Sequence, residues 1–310
     1  MYRFKKDKLL KQIFVFMMIS ALLFPRTALA AEETVDLGTT STFAILAGTT
    51  ITNTGPTTVS GDAGGDIGLH PGSAFPGSAS VTTTGTIHLA DAVAEQAKQD
   101  LVLAYDDAAG RIPTTTFAET DNQLGGKTLT TGVYRFGHAD TANLTAAEPL
   151  ILDAQGDPNA VFIFQATSDL VFASNSVVQL TNGARYCRVF WQVASDVTIN
   201  TNATFIGHIF ALNSIWVRTG ATVQGQLLAR NGEVTLDTNT ITNGLCALIT
   251  PSPSASPTPS GNRVGIPSTG DDANPGLWIG ISVVALAGLV FLVTRIKRTN
   301  RTNKSMGHDQ

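Results

Sequence analysis

Positive charge is scarce in the middle of this chain. Six of its 20 Lys and Arg residues lie within the first 26 positions, and six more lie from Arg263 onward. Over residues 32–249, eight basic residues face twenty acidic ones, a balance of about −12. Such a segment repels polyanions, which excludes nucleic acid and an anionic membrane surface as its partner. Cysteine is nearly absent, with only Cys187 and Cys246. Two cysteines without suitably spaced histidines do not make a zinc site. In a secreted chain they are expected to form one disulfide closing a loop of about sixty residues, the alternative being two unpaired thiols. Histidine is equally thin. His70, His88, His138 and His208 stand singly, as hydrogen-bonded loop or coil-edge residues rather than a catalytic set. Neither a metal nor a cofactor is implied.

Long apolar runs occur only near the ends. Arg3, Lys5, Lys6, Lys8 and Lys11 precede "IFVFMMISALLF" (13–24) and then "TALAAEE". This is the layout of a secretory signal peptide over residues 1–31, cleaved near Ala30 or Ala31. The run is short for a membrane span; a retained anchor is the other possibility. Toward the other end, "LWIGISVVALAGLVFLVT" (277–294) is long enough for one transmembrane helix. Arg295, Lys297, Arg298, Arg301 and Lys304 follow it and place the tail 295–310 in the cytoplasm. Just upstream, "IPSTG" (266–270) resembles the sortase sorting signal, with Ile266 where leucine is usual. The resemblance implies cleavage between Thr269 and Gly270 and transfer of Thr269 to the peptidoglycan of a Gram-positive bacterium. Retention by the membrane helix alone is the alternative. "TPSPSASPTPSGN" (250–262) reads as an extended Pro/Ser spacer, taken to run to residue 265. The working part is therefore 32–249, an extracellular monomeric domain of sufficient length for a substantial core.

Threonine is what that domain has in excess, with 35 between Ala31 and Thr250. Thr181, Thr201, Thr219 and Thr238, each followed by small or turn-forming residues, recur at steps of 20, 18 and 19. Gly207, Gly225 and Gly244 keep the same step. A fixed period of this size signals a solenoid. Within each period the alternation is two, not 3.6: Val197 and Ile199, Ile215 and Val217, Val234 and Leu236 alternate with Thr198, Trp216 and Thr235. At about 3.3 Å per residue one period makes a circuit of roughly 60 Å, or three sides near 20 Å. The expected fold is mainly β, a parallel β-solenoid (β-helix) of triangular cross-section, with coils about 4.8 Å apart. Runs such as Val161–Phe164 are apolar throughout and need cover on both faces. The stretch 89–110 supplies it as one long α-helix, about 89–109, with Ala90, Val93, Ala94, Ala97, Leu101 and Ala104 on its docking face and Gly110 as C-cap. "FAILAGTTITNTG" (43–55) reads as two further solenoid strands, so coil order need not follow chain order. "GDAGGDIGLHPGSAFPGS" (61–78) reads as a Gly/Pro loop capping an open end.

Several of these stretches, with "GTIHLADAVAEQAKQDL", "LGGKTLTTGVYRF", "LDAQGDPNAVFIFQ", "VFWQVASDVTI" and "LARNGEVTLDTNTIT", closely resemble the microbial ice-binding protein family over about residues 36–246. The resemblance implies a triangular β-solenoid with a flanking helix, and adsorption to an ice crystal surface through one flat face. A face motif of that family is Thr-Ala/Gly-x-Thr/Asn. Thr219-Gly220-Ala221-Thr222 fits it and Thr201-Asn202-Ala203-Thr204 nearly does, whereas Thr181-Asn182-Gly183-Ala184 and Thr238-Asn239-Thr240-Ile241 do not. A disulfide often seen in the family has no counterpart, since Ile112 and Arg135 stand where its cysteines would lie; Cys187 and Cys246 match the other common pair.

Parity separates the threonines. Thr204, Thr222, Thr240 and Thr242, with Ile206 and Gln224, are expected on an outward face. Thr201, Thr219 and Thr238 share parity with the inward Ile199, Val217 and Leu236. They either join the ice face or form an internal hydroxyl ladder at a corner. Trp216 and Arg218 share a face less suited to ice, because one breaks flatness and the other keeps its hydration shell. Two rival functions remain in view. One is a surface adhesin for carbohydrate or other cells. The other is a β-helix polysaccharide lyase using Asp153, Asp157, Asp196, Asp237, Arg188, Arg218 and Arg230, although "DAQGDPNA" reads as a turn and the others fall one per coil. "GDAGGDIG" could hold Ca²⁺ but reads more simply as a Gly-rich turn.

Overall fold

The computed structural model describes residues 32–118, 121–136, 141–244 and Cys246. The signal segment 1–31, the spacer 250–265, the sorting motif with Thr269 and Gly270, the apolar run 277–294, the tail 295–310 and His138 lie outside the described residues. No helix among the described residues is long and apolar enough to cross a membrane.

After a 3-10 turn at Gly38–Thr42 the chain lays down β1 (Phe43–Ala47), β2 (Ile51–Thr54) and β3 (Thr57–Ser60), then β4 (Asp66–Leu69), β5 (Val81–Thr83) and β6 (Ile87–Leu89). Helix α1 (Ala92–Gly110) follows. Beyond it come β7 (Thr115–Thr116), β8 (Thr128–Leu129), β9 (Gly132–Arg135), β10 (Ala142–Leu144) and β11 (Leu150–Asp153). The next coil is β12 (Phe162–Ala166), β13 (Leu170–Phe172) and β14 (Val178–Thr181), and β15 (Val189–Val193) and β16 (Val197–Ile199) follow. Two long strands, β17 (Thr204–Ala211) and β19 (Thr222–Ala229), alternate with β18 (Ile215–Val217) and β20 (Val234–Asp237), and β21 (Thr240–Thr242) comes last. All pairings named in this structure are parallel, as the solenoid reading expects.

Three faces result. The first runs β10-β13-β16-β18-β20-β2. The second runs from β7 through β9, β12, β15 and the C-terminal halves of β17 and β19 to β1, β4 and β6. The third joins β8-β11-β14 by the Val177–Thr204 bridge to the N-terminal halves of β17 and β19, then β21, β3 and β5. The last coil in sequence, β19-β20-β21, therefore docks on the first, β1-β2-β3. Coil order does not follow chain order, as expected. The segment 61–78 is more than a cap, because its β4 pairs with β1 and extends the second face.

β17 and β19 each pass from the third face to the second without a loop, and Gly207 and Gly225 make the bend. Their φ values, +119° and +143°, are costly for any residue with a Cβ. At Gly225 an added Cβ would lie 1.8 Å from the Gly207 carbonyl oxygen. The bend therefore stacks backbone on backbone.

Inside the coils an aromatic stack rises through successive rungs. The rings of Tyr134 and Phe164 are 5.5 Å apart, and those of Phe164 and Trp191 are 3.9 Å apart. Phe172 meets Trp191 edge-on at 5.5 Å. Trp191 is buried, and its Nε1 donates to the Ile206 carbonyl at 3.0 Å, satisfying the polar atom that burial would otherwise strand.

The second face is buried on both sides because α1 covers it. Ala97, Leu101, Ala104 and Ala108 pack on Val161, Ile163, Phe190 and Phe210, and the alanines allow close approach. Asp91 caps the helix, its Oδ1 accepting from the Ala94 amide at 2.9 Å. The helix thus starts later than position 89, and Ala90 and Val93 lie exposed, off the docking face. Gly110 is the last helical residue rather than the cap, and Arg111 follows in extended conformation. The carbonyls of Ala108 and Arg111 instead accept from Gln165 Nε2, each at 2.8 Å. Lys98 Nζ reaches the Ala229 and Arg230 carbonyls across the helix–sheet interface. Burial, reinforced by Arg230, lowers its pKa to about 7.

Cys187 and Cys246 are disulfide-bonded, with Cα atoms 5.5 Å apart and a sequence separation of 59, so neither thiol is free. The bond ties the chain beyond β21 to the turn Tyr186–Arg188 ahead of β15. Loop-closure entropy gives such a crosslink a value of about 4 kcal/mol.

Candidate functional site

The third face carries the threonine array. Its strands alternate as the sequence pattern requires: Phe205, Val223, Ile241 and Val59 point into the core, and their neighbours point outward. Parallel register then aligns the outward residues across coils. Thr204 pairs with Thr222, Thr222 with Thr240, Thr240 with Thr58, and Thr58 with Thr82. Five threonines thus form one row parallel to the solenoid axis, at steps of about 4.8 Å. Thr204 and Thr222 are close enough for their hydroxyls to bond at 3.5 Å. A second row contains Ile206, Gln224, Thr242 and Ser60, but Ile206, expected outward, is buried among the core side chains at the bend next to Gly207. Thr204, Ile206, Thr222, Gln224, Thr240 and Thr242 line a shallow depression. None of these residues is ionisable.

The corner threonines behave differently. At the corner between the first and third faces the left-handed positions are Asn175, Asn202, Gly220 and Thr238, with φ of 61°, 57°, 71° and 53°. Thr181-Asn182 follows β14 and turns a different corner, so it is not in register with Thr201. Thr238 therefore corresponds to Gly220, one position later than the Thr-x-x alignment expects, and Asp237 stands where Thr201 and Thr219 stand. Thr219 and Thr238 are exposed, and both donate their hydroxyls to the Asp237 carboxylate. Thr201 is half-buried. They form no internal ladder. The buried polar plug at this corner is Asn239, whose Nδ2 donates to the Arg218 and Ala221 carbonyls at 2.8 and 3.2 Å.

The other two faces offer no comparable array. The second lies under α1. On the first, Trp216 sits in register between Thr198 and Thr235 and donates from Nε1 to Glu233 Oε1 at 3.0 Å. Arg218 is exposed at its end.

The acidic and basic residues of the lyase rival are engaged in separate turn and coil-to-coil contacts. Asp153 Oδ1 accepts from the Gln155 amide and from Asn182 Nδ2, Asp157 from the Asn159 amide, and Asp196 from the Ser214 amide. Arg188 meets Asn159 at 3.2 Å, and Arg230 meets Asp106 at 3.2 Å. Asp66, in the Gly-rich stretch, accepts from the Thr86 amide. No three His, Cys, Asp or Glu residues gather in a metal-holding group among the described residues. His88, in the edge strand β6, pairs with Asp91 at 2.8 Å, in line with the coil-edge expectation. His208 departs from it, being buried against Phe190 with ring centroids 5.4 Å apart. Burial holds its pKa down at about 4, with only partial compensation from Gln226 and the Cys187 backbone.

The family model described as ice-binding-like matches residues 45–242, the span that builds all three faces of the solenoid. The chain belongs to the ice-binding-like family. An ice-binding protein of Nostoc sp. (strain HG1) is 44% identical over 208 residues, covering 67% of this chain and 73% of that protein. One from Flavobacterium frigoris (strain PS1) is 32% identical over 225 residues, covering 68% and 76%. Among solved structures, an ice-binding protein from an Antarctic biological consortium superposes with a TM-score of 0.64 at 37% identity, over 71% of this chain and 95% of that one. Within this ice-binding-like chain, Thr58, Ser60 and Thr82 are the face residues that sequence reasoning missed. They belong to a part of the chain that shares no repeat spacing with β17–β21. Their signal was the alternation Thr58-Val59-Ser60, which fixes orientation but not which coil the strand joins.

Proposed function

We propose that this protein adsorbs to ice through its third face, with Thr58, Thr82, Thr204, Thr222 and Thr240 as the contact row. Ile206, Gln224, Thr242 and Ser60 lie beside them, and Thr201, Thr219 and Thr238 lie at the rim. The in-register row of five threonines carries this reading. β-Branching restricts each χ1, so little side-chain entropy is lost when surface water orders or the face docks. The methyl groups favour cage-like water and the hydroxyls join its hydrogen-bond network. Each contact is weak, and a rigid array sums them. The relatives named as ice-binding proteins support the same reading. Partition into a slowly growing ice hemisphere tests it: the protein should be taken up, and its exclusion into the liquid would refute the proposal.

The same proposal holds the domain outside the cell. The Cys187–Cys246 bond fits an oxidising compartment, and the sequence of 1–31 and 266–310 fits export followed by attachment to the wall or membrane of a Gram-positive bacterium. Thr269→Ala should release the protein from the wall fraction; unchanged wall retention would contradict sortase attachment.

A further inference from the structure

The two outward rows of the third face are unequal. The Thr row continues at one end into Val177, which bridges to Thr204 and is exposed, so six consecutive rungs present a β-branched side chain. In the second row the rungs read Ile206, Gln224, Thr242 and Ser60. Gln224 is exposed, lies midway between a buried-side neighbour (Ile206, 8% exposed) and Thr242, and its amide bonds to no other described residue. It is the one long, unbranched side chain among them, and it lines the depression.

Resting on the ice-binding reading above, we propose that Gln224 is the residue that limits recognition to a single row, and so sets which ice planes the face accepts. Rows one and two lie about 6.8 Å apart along the strand, while rungs lie about 4.8 Å apart along the axis. Two ordered rows would present a grid that must match ice in two directions. One ordered row matches in one direction only. Gln224 prevents the grid for two physical reasons. Its side chain is exposed and longer than threonine's, so a crystal plane flush with the first row meets it unless it folds aside. Its three free torsions must also be frozen or pushed aside on docking, an entropic cost that Thr does not carry. The surrounding positions need no change, because Thr242 and Ser60 already present short side chains in register and Ile206 is recessed into the core.

The test compares the full chain with its Gln224→Thr variant. Each is assayed for the concentration that arrests ice recrystallisation, for the planes it covers on a single-crystal ice hemisphere, and for thermal melting. Gln224→Thr is expected to arrest recrystallisation at a concentration about threefold to tenfold lower, the range set by the ordering of one side chain. It should also cover at least one set of planes that the parent chain leaves bare. Equal or weaker inhibition by a variant with an unchanged melt overturns the proposal. So does stronger inhibition with an unchanged pattern of planes, which would assign Gln224 a general rather than a selective role. Gln224→Ser, which removes the length without adding a branch, should move both readouts the same way and serves if the first variant melts early. Uptake of Gln224→Thr into ice by a variant of a parent chain that is itself excluded would support the role of Gln224 while refuting native ice binding. Exclusion of both, with intact melts, refutes both.

Discussion

Thr222→Tyr is expected to abolish uptake into ice while leaving thermal stability almost unchanged. Thr222 is exposed within the five-threonine row, with Thr204 on one side and Thr240 on the other. A phenol ring there rises above the plane of the methyl groups and holds ice away from at least three rungs. Because adsorption rests on many weak contacts made together, losing flatness removes the sum and not one part of it. The fold has no stake in the exchange. Tyr suits a strand, the side chain points to solvent, and exposed substitutions of this kind stay within about 0.5 kcal/mol. Leu103→Tyr, on the exposed side of α1, is the control and should leave uptake intact. Uptake of Thr222→Tyr at the parent level would show that the third face is not the one ice meets.

Gly225→Ala is expected to act on the fold itself. Its Cβ would fall 1.8 Å from the Gly207 carbonyl oxygen, at a φ of +143°. The neighbour is backbone held in the parallel ladder of β17 and β19 and cannot swing aside. The left-handed conformation costs about 1–2 kcal/mol and the forced separation about 1–3 more. For a domain of this size each kcal/mol is worth about 2–4 °C, so the melt should fall by roughly 5–20 °C. Thr222 and Gln224 lie just ahead of the bend, so the threonine row should lose its alignment as well. Gly110→Ala is the matching control. Nothing lies within 4 Å of a Cβ there, and the position is helical, so the melt should hold or rise slightly. A parent-like melt for Gly225→Ala would mean that the two long strands do not bend where the structure places the bend.

Much of this architecture can be read locally. The alternation Thr222-Val223-Gln224 states which side chains are outward without reference to any other coil. The alanines of α1 mark its docking face for the same reason, since a helix buries residues at fixed spacing whatever lies beneath. Local reading failed where position depends on a partner. Thr238 reads as the successor of Thr219, yet its φ of 53° places it with Gly220, because the coil from β19 to β21 closes one residue earlier than the threonine spacing implies. Asn239 has no periodic signature at all. It gives the Arg218 and Ala221 carbonyls, which also accept from the Ala221 and Thr240 amides, a second donor inside the corner, and only the folded coil reveals that arrangement.

By itself, then, the sequence determined period-two strands, a solenoid repeat, a covering helix and outward threonines, all consequences of pleat and helix geometry acting within a few residues. Tertiary structure decided which threonines stand in one row. Thr58 and Thr82 reach Thr240 only because the last coil docks on the first across some 180 residues of chain. It also decided which face stays open: α1 covers one, Trp216 interrupts another, and the third is left uncovered. Both outcomes follow from register between distant parallel strands, which is set by packing across coils and not by any residue's own preference.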